Sequence, residues 1–348
     1  MTESTDEIRN DDVDIASLLG IPISAEQQRA VTAPLKPCVV IAGAGTGKTT
    51  VMAARVVWLV AGGLVRPEEI LGLTFTNKAT SELSERIEKN LTSAGLLTPE
   101  QPRPTVATYD SFAGTLVADY GAWDGIDTGA HLITGARAYQ LATEVVSELD
   151  RPPLVGAHLT PTSIAQAVVS LAGAMSSHDA SEDTVRAADA RWRQMLVDAP
   201  TRRDGEQYAS VKKNLLTVDE REDLLDLVKT YRDLKRQRGF VEFGDRMLQA
   251  LHLVAHHPRV GQELRARYRV VLLDEYQDTS SAQADLLAAL FSGPDADHGM
   301  GHPVMAVGDP LQAIYGWRGA AASNILDFHR RFPDETGRPA TMLSLATN

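Results

Sequence analysis

Residues 39–50 read "VVIAGAGTGKTT", setting Gly43, Gly45 and Gly47 beside Lys48 and Thr49, directly behind a short β-branched run. Side chains of these types in this order suit the holding of phosphate. The glycines give the backbone freedom at positive φ and let its N–H groups approach an anion closely. A helix opening at about Lys48 points unsatisfied N–H groups and the positive end of its dipole into the same loop. Lys48 would reach the β- and γ-phosphates, and Thr49 would offer its hydroxyl to Mg²⁺. Ala42, Gly43, Ala44, Gly45, Thr46, Gly47 and Thr50 complete the cradle. The general pattern G-x-x-x-x-G-K-[ST] has glycine where this chain has Ala42, at the loop entry, where only a small side chain is required. A glycine-rich turn with an incidental lysine is the plainer alternative. It leaves the order of strand, loop, Lys-Thr and helix unexplained.

Two later stretches carry matching chemistry. In "VVLLDEYQD", residues 270–278, an apolar run of β-formers ends in two carboxylates. Open α/β sheets bind ligands at the carboxyl ends of their strands. Asp274 would hold Mg²⁺ opposite Thr49, and Glu275 would orient or deprotonate the attacking water. Alone, the stretch could be a strand followed by solvated acids; the upstream loop makes that the lesser reading. In "VGDPLQAIYGWRGA", residues 307–320, Gln312 is suited to sense a γ-phosphate. Tyr315, Trp317 and Arg318 supply two aromatic faces and a guanidinium, a stacking platform for unpaired bases. A core tryptophan with a surface arginine is the alternative, and flanking Gly316 and Gly319 favour a loop instead.

The elements that must position these residues follow from periodicity. Strands are expected at Cys38–Ala42, Ile70–Phe75 and Thr105–Tyr109, with helices between them, as in a parallel sheet covered on both faces. From about 113 to 238 the strands vanish and the apolar spacing is helical, as in "SIAQAVVSLAGAM". Strand character returns at 268–276 and 304–310, and again in "RPATMLSLATN". An all-helical block therefore interrupts an α/β domain. The first 20 residues hold six acids against one arginine and read as an acidic, disordered tail with no signal-peptide pattern.

Composition narrows the class further. The chain of 348 residues is 43% hydrophobic and 23% charged, enough for a large core in two or three domains. No apolar run approaches the roughly 20 residues that span a bilayer, so no membrane partner is expected. The one cysteine, Cys38, excludes an internal disulfide and suits a cytoplasmic localisation. The formal net charge of −12 argues mildly against a broadly basic surface without excluding a nucleic-acid groove. The nine histidines show no metal-site spacing.

Taken in order, "ISAEQQRAV", "AGAGTGKTT", "LTFTNKAT", "ATYDSFA", "LLDEYQDTS" and "VGDPLQAIYGWRGA" resemble the motifs of superfamily 1 helicases of the UvrD/Rep/PcrA-like branch. "MAARVVWLV" and "GLVRPEEILGLTFTNKAT" look like its actinobacterial members. Alanine at the position of Ala42 is common there. The resemblance covers residues 23–348, loosely over the helical block. It implies a RecA-like P-loop NTPase domain, an α/β fold with a mostly parallel sheet and helices on both faces. The ATP-binding domain would comprise 21–113 and 239–348, with a helical insertion at 114–238. It also implies an ATP- and Mg²⁺-dependent DNA helicase that moves 3′ to 5′ on single-stranded DNA in repair or recombination. Gln27 matches the glutamine that reads adenine. Phe75, Thr76 and Asn77 match residues that contact single-stranded DNA, and Tyr109 and Ser111 match backbone contacts. Tyr315 and Trp317 match base-stacking positions, with Arg318 beside the DNA track.

Three departures bear on that reading. Thr50 stands where relatives often have an arginine packed on adenine. Asp110 replaces a histidine, and its charge would repel phosphate. The chain ends at Asn348, so the second RecA-like domain and its arginine are expected to be missing, leaving this portion near-inactive alone. A P-loop ATPase with no nucleic acid is one competing class, which DNA-stimulated hydrolysis would separate. A non-catalytic ATP- and DNA-binding module that depends on a partner is the other.

Overall fold

The computed structural model describes residues 15–148, 159–316 and 319–346. In chain order its first elements are α1 (Ile15–Leu19), α2 (Ala25–Val31), β1 (Cys38–Ala42), α3 (Lys48–Ala61), β2 (Ile70–Thr74), α4 (Asn77–Ser93), β3 (Thr105–Thr108) and α5 (Tyr109–Tyr120). A helical stretch follows, with β4 (His131–Leu132), α6 (Gly135–Ser147), α7 (Pro161–Ser177), α8 (Glu182–Val197), α9 (Ala209–Gln237) and β5 (Phe240–Val241). The chain closes with α10 (Phe243–His256), α11 (Pro258–Arg267), β6 (Val270–Leu273), α12 (Ser281–Phe291), β7 (Val304–Gly308), α13 (Ser323–Arg331) and β8 (Thr341–Leu345).

Six strands form one sheet in the order β3-β2-β6-β7-β1-β8, and every pairing is parallel. The central strands β2, β6 and β7 are buried at every residue, as the runs "ILGLT", "VVLL" and "VMAVG" require when both faces are covered. Because the strands run together, their carboxyl ends share one edge. The phosphate loop leaves β1 there, Phe75 leaves β2, Asp274 leaves β6 and Asp309 leaves β7.

The chain divides into two compact units, Met1–Asp124 with Ala250–Asn348, and Gly125–Gln249. Both divisions fall further along the chain than the change of periodicity suggests. The reason is local: α5 starts directly from β3 through a capping box between Thr108 and Ser111, and so belongs to the sheet-bearing unit.

That unit has a core of α3, α4 and the sheet, with Met52, Leu59, Val40 and Leu272 fully buried. The acidic-tail reading is corrected at its end. Residues 1–14 lie outside the described residues, but 15–19 form α1, and Ile15 packs into this core. The acids upstream masked the short apolar run "IASLL". Arg55, on α3, is buried and donates to the carbonyls of Val31 and Pro34 at 2.7 and 3.1 Å and also to that of Ala33. It thereby ties the end of α2 to α3. Cys38 is a strand filler beneath it, its thiol pushed up to about 11 by burial, against the pull of Arg55.

The second unit packs α6, α7 and α9 around Leu141, Val168, Leu225 and Tyr231. Arg221 of α9 makes a bidentate pair with the buried Asp189 of α8, at 2.6 and 2.8 Å. Buried Lys235 pairs with Glu242 and Asp245, each at 2.6 Å. The all-helical expectation needs one correction: β4 and β5 pair in parallel over two residues each. Strands that short show no period-2 signal.

Candidate functional site

The loop after β1 turns at Gly45 and Gly47, with φ of 77° and 86°. Gly43 does not have positive φ, and a Cβ there would meet only the Thr46 Cγ2 at an ordinary 3.7 Å, so neither backbone conformation nor protein packing requires glycine at this position. Buried Thr46 closes the turn, its hydroxyl donating to the Gly43 carbonyl at 2.8 Å. Gly47 is the N-cap of α3 and brings no side chain to satisfy the first turn. Those N–H groups are left to an anion.

Gln27 lies against this loop. Its Nε2 donates to the Thr46 carbonyl at 2.9 Å, and its Oε1 accepts from the Ser24 N–H at 3.0 Å. A Cβ at position 47 would sit 2.8 Å from that Nε2, a second reason for glycine there. Both ends of the Gln27 amide are engaged within the protein, so contact with a base requires exchange of these bonds. Thr50 has a partner that sequence reasoning missed: Arg86 of α4 donates to its hydroxyl at 3.1 Å. A guanidinium from another helix thus reaches Thr50. Nothing in local sequence links two residues so far apart.

Across the edge, Lys48 Nζ lies 2.9 Å from Glu275 Oε2, with the lysine side chain only 12% exposed. Glu275 holds φ at 46° and ψ at 45°, a left-handed backbone that is uncommon for a residue with a Cβ. Such strain persists where surrounding structure over-determines it, and it concentrates at functional sites. Asp274 is buried. Burial, then the Glu275 charge, pushes its carboxyl up to about 7. Its Oδ1 has no partner. A buried carboxylate oxygen left without a partner is a hard oxygen donor of the kind Mg²⁺ takes, and the Thr49 hydroxyl is another.

The Tyr109 hydroxyl donates to the Asp274 carbonyl at 2.9 Å, and the ring is 3% exposed. In this position the Tyr109 side chain props the carboxylate edge from within. Ser111 is exposed but occupied in the α5 capping box, and Thr76 caps α4 by accepting from the Ala79 N–H. Asn77 is exposed beside it. The Asp110 carboxylate accepts from Gln283 Nε2 at 3.1 Å, which gives this departure a structural role.

Beyond β7, Gln312 Nε2 donates to Asp309 at 2.7 Å. Phe75 and Tyr315, half-buried, bring their ring centroids within 4.7 Å at an interplanar angle of 37°. Residues from two strand ends thus form one aromatic pair. Leu311 and Ile314 beside it are 93% and 70% exposed. Trp317 and Arg318 lie outside the described residues.

The parallel sheet, the loop at its carboxyl edge and the facing carboxylates define a RecA-like P-loop NTPase domain. The chain belongs to the UvrD/REP helicase N-terminal domain family, which matches residues 23–333. A Rickettsia felis protein named probable DNA helicase II homolog is 28% identical over 323 residues, covering 90% of this chain and 41% of the relative. ATP-dependent DNA helicase UvrD1 of Mycobacterium leprae is 29% identical over 332 residues, covering 90% and 36%. ATP-dependent DNA helicase UvrD2 of Mycobacterium bovis is 30% identical over 316 residues, covering 89% and 39%. The chain therefore spans about two-fifths of the length of these relatives. Among the described residues no helix is long and apolar enough to cross a membrane.

Proposed function

We propose that this chain is the ATP-binding lobe of an ATP-dependent DNA helicase or translocase that tracks single-stranded DNA in the cytoplasm, 3′ to 5′, in repair or recombination. The observation that carries the reading is the meeting of Lys48 and Glu275 beside the uncapped start of α3. A lysine held by the hydrolytic carboxylate is a resting arrangement. A γ-phosphate, more highly charged than one carboxylate, draws Lys48 away. Glu275 is then free to orient water and accept its proton, and its strained backbone fixes where that carboxylate points. Mg²⁺, held by Thr49 and Asp274, would neutralise charge developing on the phosphate oxygens. Gln312, tethered to Asp309, exchanges that bond for one to the γ-phosphate. Gln27 reads the adenine edge, and the loop from Ala42 to Thr50 encloses the phosphates. A second RecA-like lobe would add arginines across the cleft.

Single-stranded DNA would lie along Phe75, Thr76, Asn77 and Ser111, with bases stacking on Phe75, Tyr315 and Trp317 beside Arg318. The Phe75–Tyr315 contact supports this: two aromatic residues from separate strand ends share one half-exposed surface. Phe75→Ala is expected to weaken binding of a short oligothymidylate by about 1–3 kcal/mol, the worth of one stacked base. Nucleotide affinity should change little. Fluorescence anisotropy with a labelled oligonucleotide checks this. Unaltered DNA affinity together with a sharp loss of melting temperature would make Phe75 a packing residue and remove the proposed track.

A further inference from the structure

Residues 275–280 touch the nucleotide site at one end and the aromatic loop at the other. Gln277 is the junction. Fully buried, it donates from Nε2 to Glu275 Oε2 at 2.8 Å and to Asp278 Oδ2 at 3.3 Å. Its Oε1 accepts from the Asp309 N–H at 3.0 Å, and Asp309 holds Gln312. Gly308 makes room for this: a Cβ there would lie 2.1 Å from Gln277 Oε1. Any other residue at 308 would expel the amide.

The next three residues grip the loop from both sides. The Asp278 carboxylate lies against the backbone N–H groups of Ile314 and Tyr315, which favour its charged form. The Thr279 carbonyl accepts from the Ala321 N–H at 3.0 Å and from Asn324 Nδ2 at 2.9 Å. Ser280 forms an antiparallel bridge with Ala320. Hydrogen bonds therefore run from Lys48 through Glu275 and Gln277 to Asp278, which lies against the Tyr315 backbone, while Ala320, bridged to Ser280, donates its N–H to the Tyr315 carbonyl at 3.3 Å.

We propose that Gln277 and Asp278 are positioning residues that join the state of Glu275 to the placing of Tyr315, so that nucleotide and single-stranded DNA share a coupling free energy through them. The proposal rests on the function proposed above. When Lys48 leaves Glu275 for a γ-phosphate, Gln277 Nε2 becomes the remaining side-chain donor of the network on Oε2. The carboxylate and the amide then move together, and the amide is bonded to both Asp309 and Asp278. Neither residue touches nucleotide or DNA in this account. Their effect appears in the linkage between the two ligands, which is reciprocal by thermodynamic necessity.

The test is a linkage cycle on the 348-residue chain. Affinity for a labelled oligothymidylate is measured with and without saturating Mg²⁺ and a non-hydrolysable ATP analogue. In the wild type the analogue is expected to change that affinity by about five-fold or more, the lower end of ordinary couplings. In Gln277→Leu and Asp278→Ala each ligand alone should bind within about two-fold of wild type while the coupling factor collapses towards one. Asp278→Asn keeps an acceptor oxygen for the Ile314 and Tyr315 N–H groups and should restore most of the factor. A purely structural role would lower both affinities and leave their ratio intact. An unchanged factor in the first two variants overturns the proposal. So does a wild-type factor of one with both ligands bound, and either result leaves the proposed function standing. A wild-type chain that binds neither ligand overturns the proposed function and the positioning role with it. Hydrogen exchange at the Ile314 and Tyr315 amides needs no variant: the analogue alters their protection if the proposal holds and leaves it unchanged if it fails.

Discussion

Glu275→Gln, made in a polypeptide that carries both lobes, is expected to retain Mg²⁺-ATP and to lose turnover by about 10²–10⁴, the usual contribution of a positioned general base. The substitution is nearly isosteric, so Gln277 and the 3₁₀ turn at Tyr276–Asp278 keep their places. What disappears is the anionic acceptor. With it goes the charge that holds Lys48 at 2.9 Å, so the lysine is freed for the nucleotide and affinity should hold or rise. Single-turnover hydrolysis set beside equilibrium binding separates the two effects. Turnover at the wild-type rate would sink the assignment of Glu275.

The 348-residue chain by itself should hydrolyse ATP very slowly, with little stimulation by single-stranded DNA, and should unwind nothing. The reason is the share of the machinery it holds. Loop, metal position and base converge on one edge of its sheet, whereas the proposed second lobe would bring the arginines that stabilise charge on the transferring phosphoryl group. An arginine supplied that way is worth about 10³–10⁵ in rate in other phosphoryl-transfer enzymes. The second lobe would also provide the closure that turns hydrolysis into movement. A steady-state assay with and without an oligonucleotide measures both effects. Robust DNA-stimulated turnover by this chain would contradict the two-lobe account and point to a second copy completing the site.

The strands that bear the site were legible in the sequence because they are buried on both faces. Runs such as "VVLL" and "CVVIA" have one reading once glycines and acids follow them, and β1 begins and ends where the pattern places it. The acidic and glycine-rich ends of those strands were legible for the same reason: polar residues directly after an apolar strand must lie at its rim. What could not be read is what depends on distant partners. Tyr109 looked like a surface contact until its hydroxyl was found on the Asp274 carbonyl. Asp110 looked repulsive until Gln283 met it, and the bond from Arg86 to Thr50 joins two helices that local sequence does not relate. Gln277 stood in plain view between two acids, but its role follows from Asp309 and Gly308, which only the pairing of β6 with β7 brings near. α1 failed for a different reason: five helical residues are too few to carry a period of their own.

The most direct test of the central claim is a titration of Mg²⁺-nucleotide against the purified chain and its Lys48→Ala variant, followed by calorimetry or a fluorescent analogue. Lys48 is the one residue that the phosphate loop, the Glu275 contact and the proposed chemistry all share. Its ammonium would make a charge-assisted contact worth about 1.5–3 kcal/mol, and losing it should weaken binding about 10- to 150-fold. The account predicts saturable, Mg²⁺-dependent binding in the wild type and that loss in a variant that still folds. Equal binding by the two proteins, or none by a folded wild type, would contradict it.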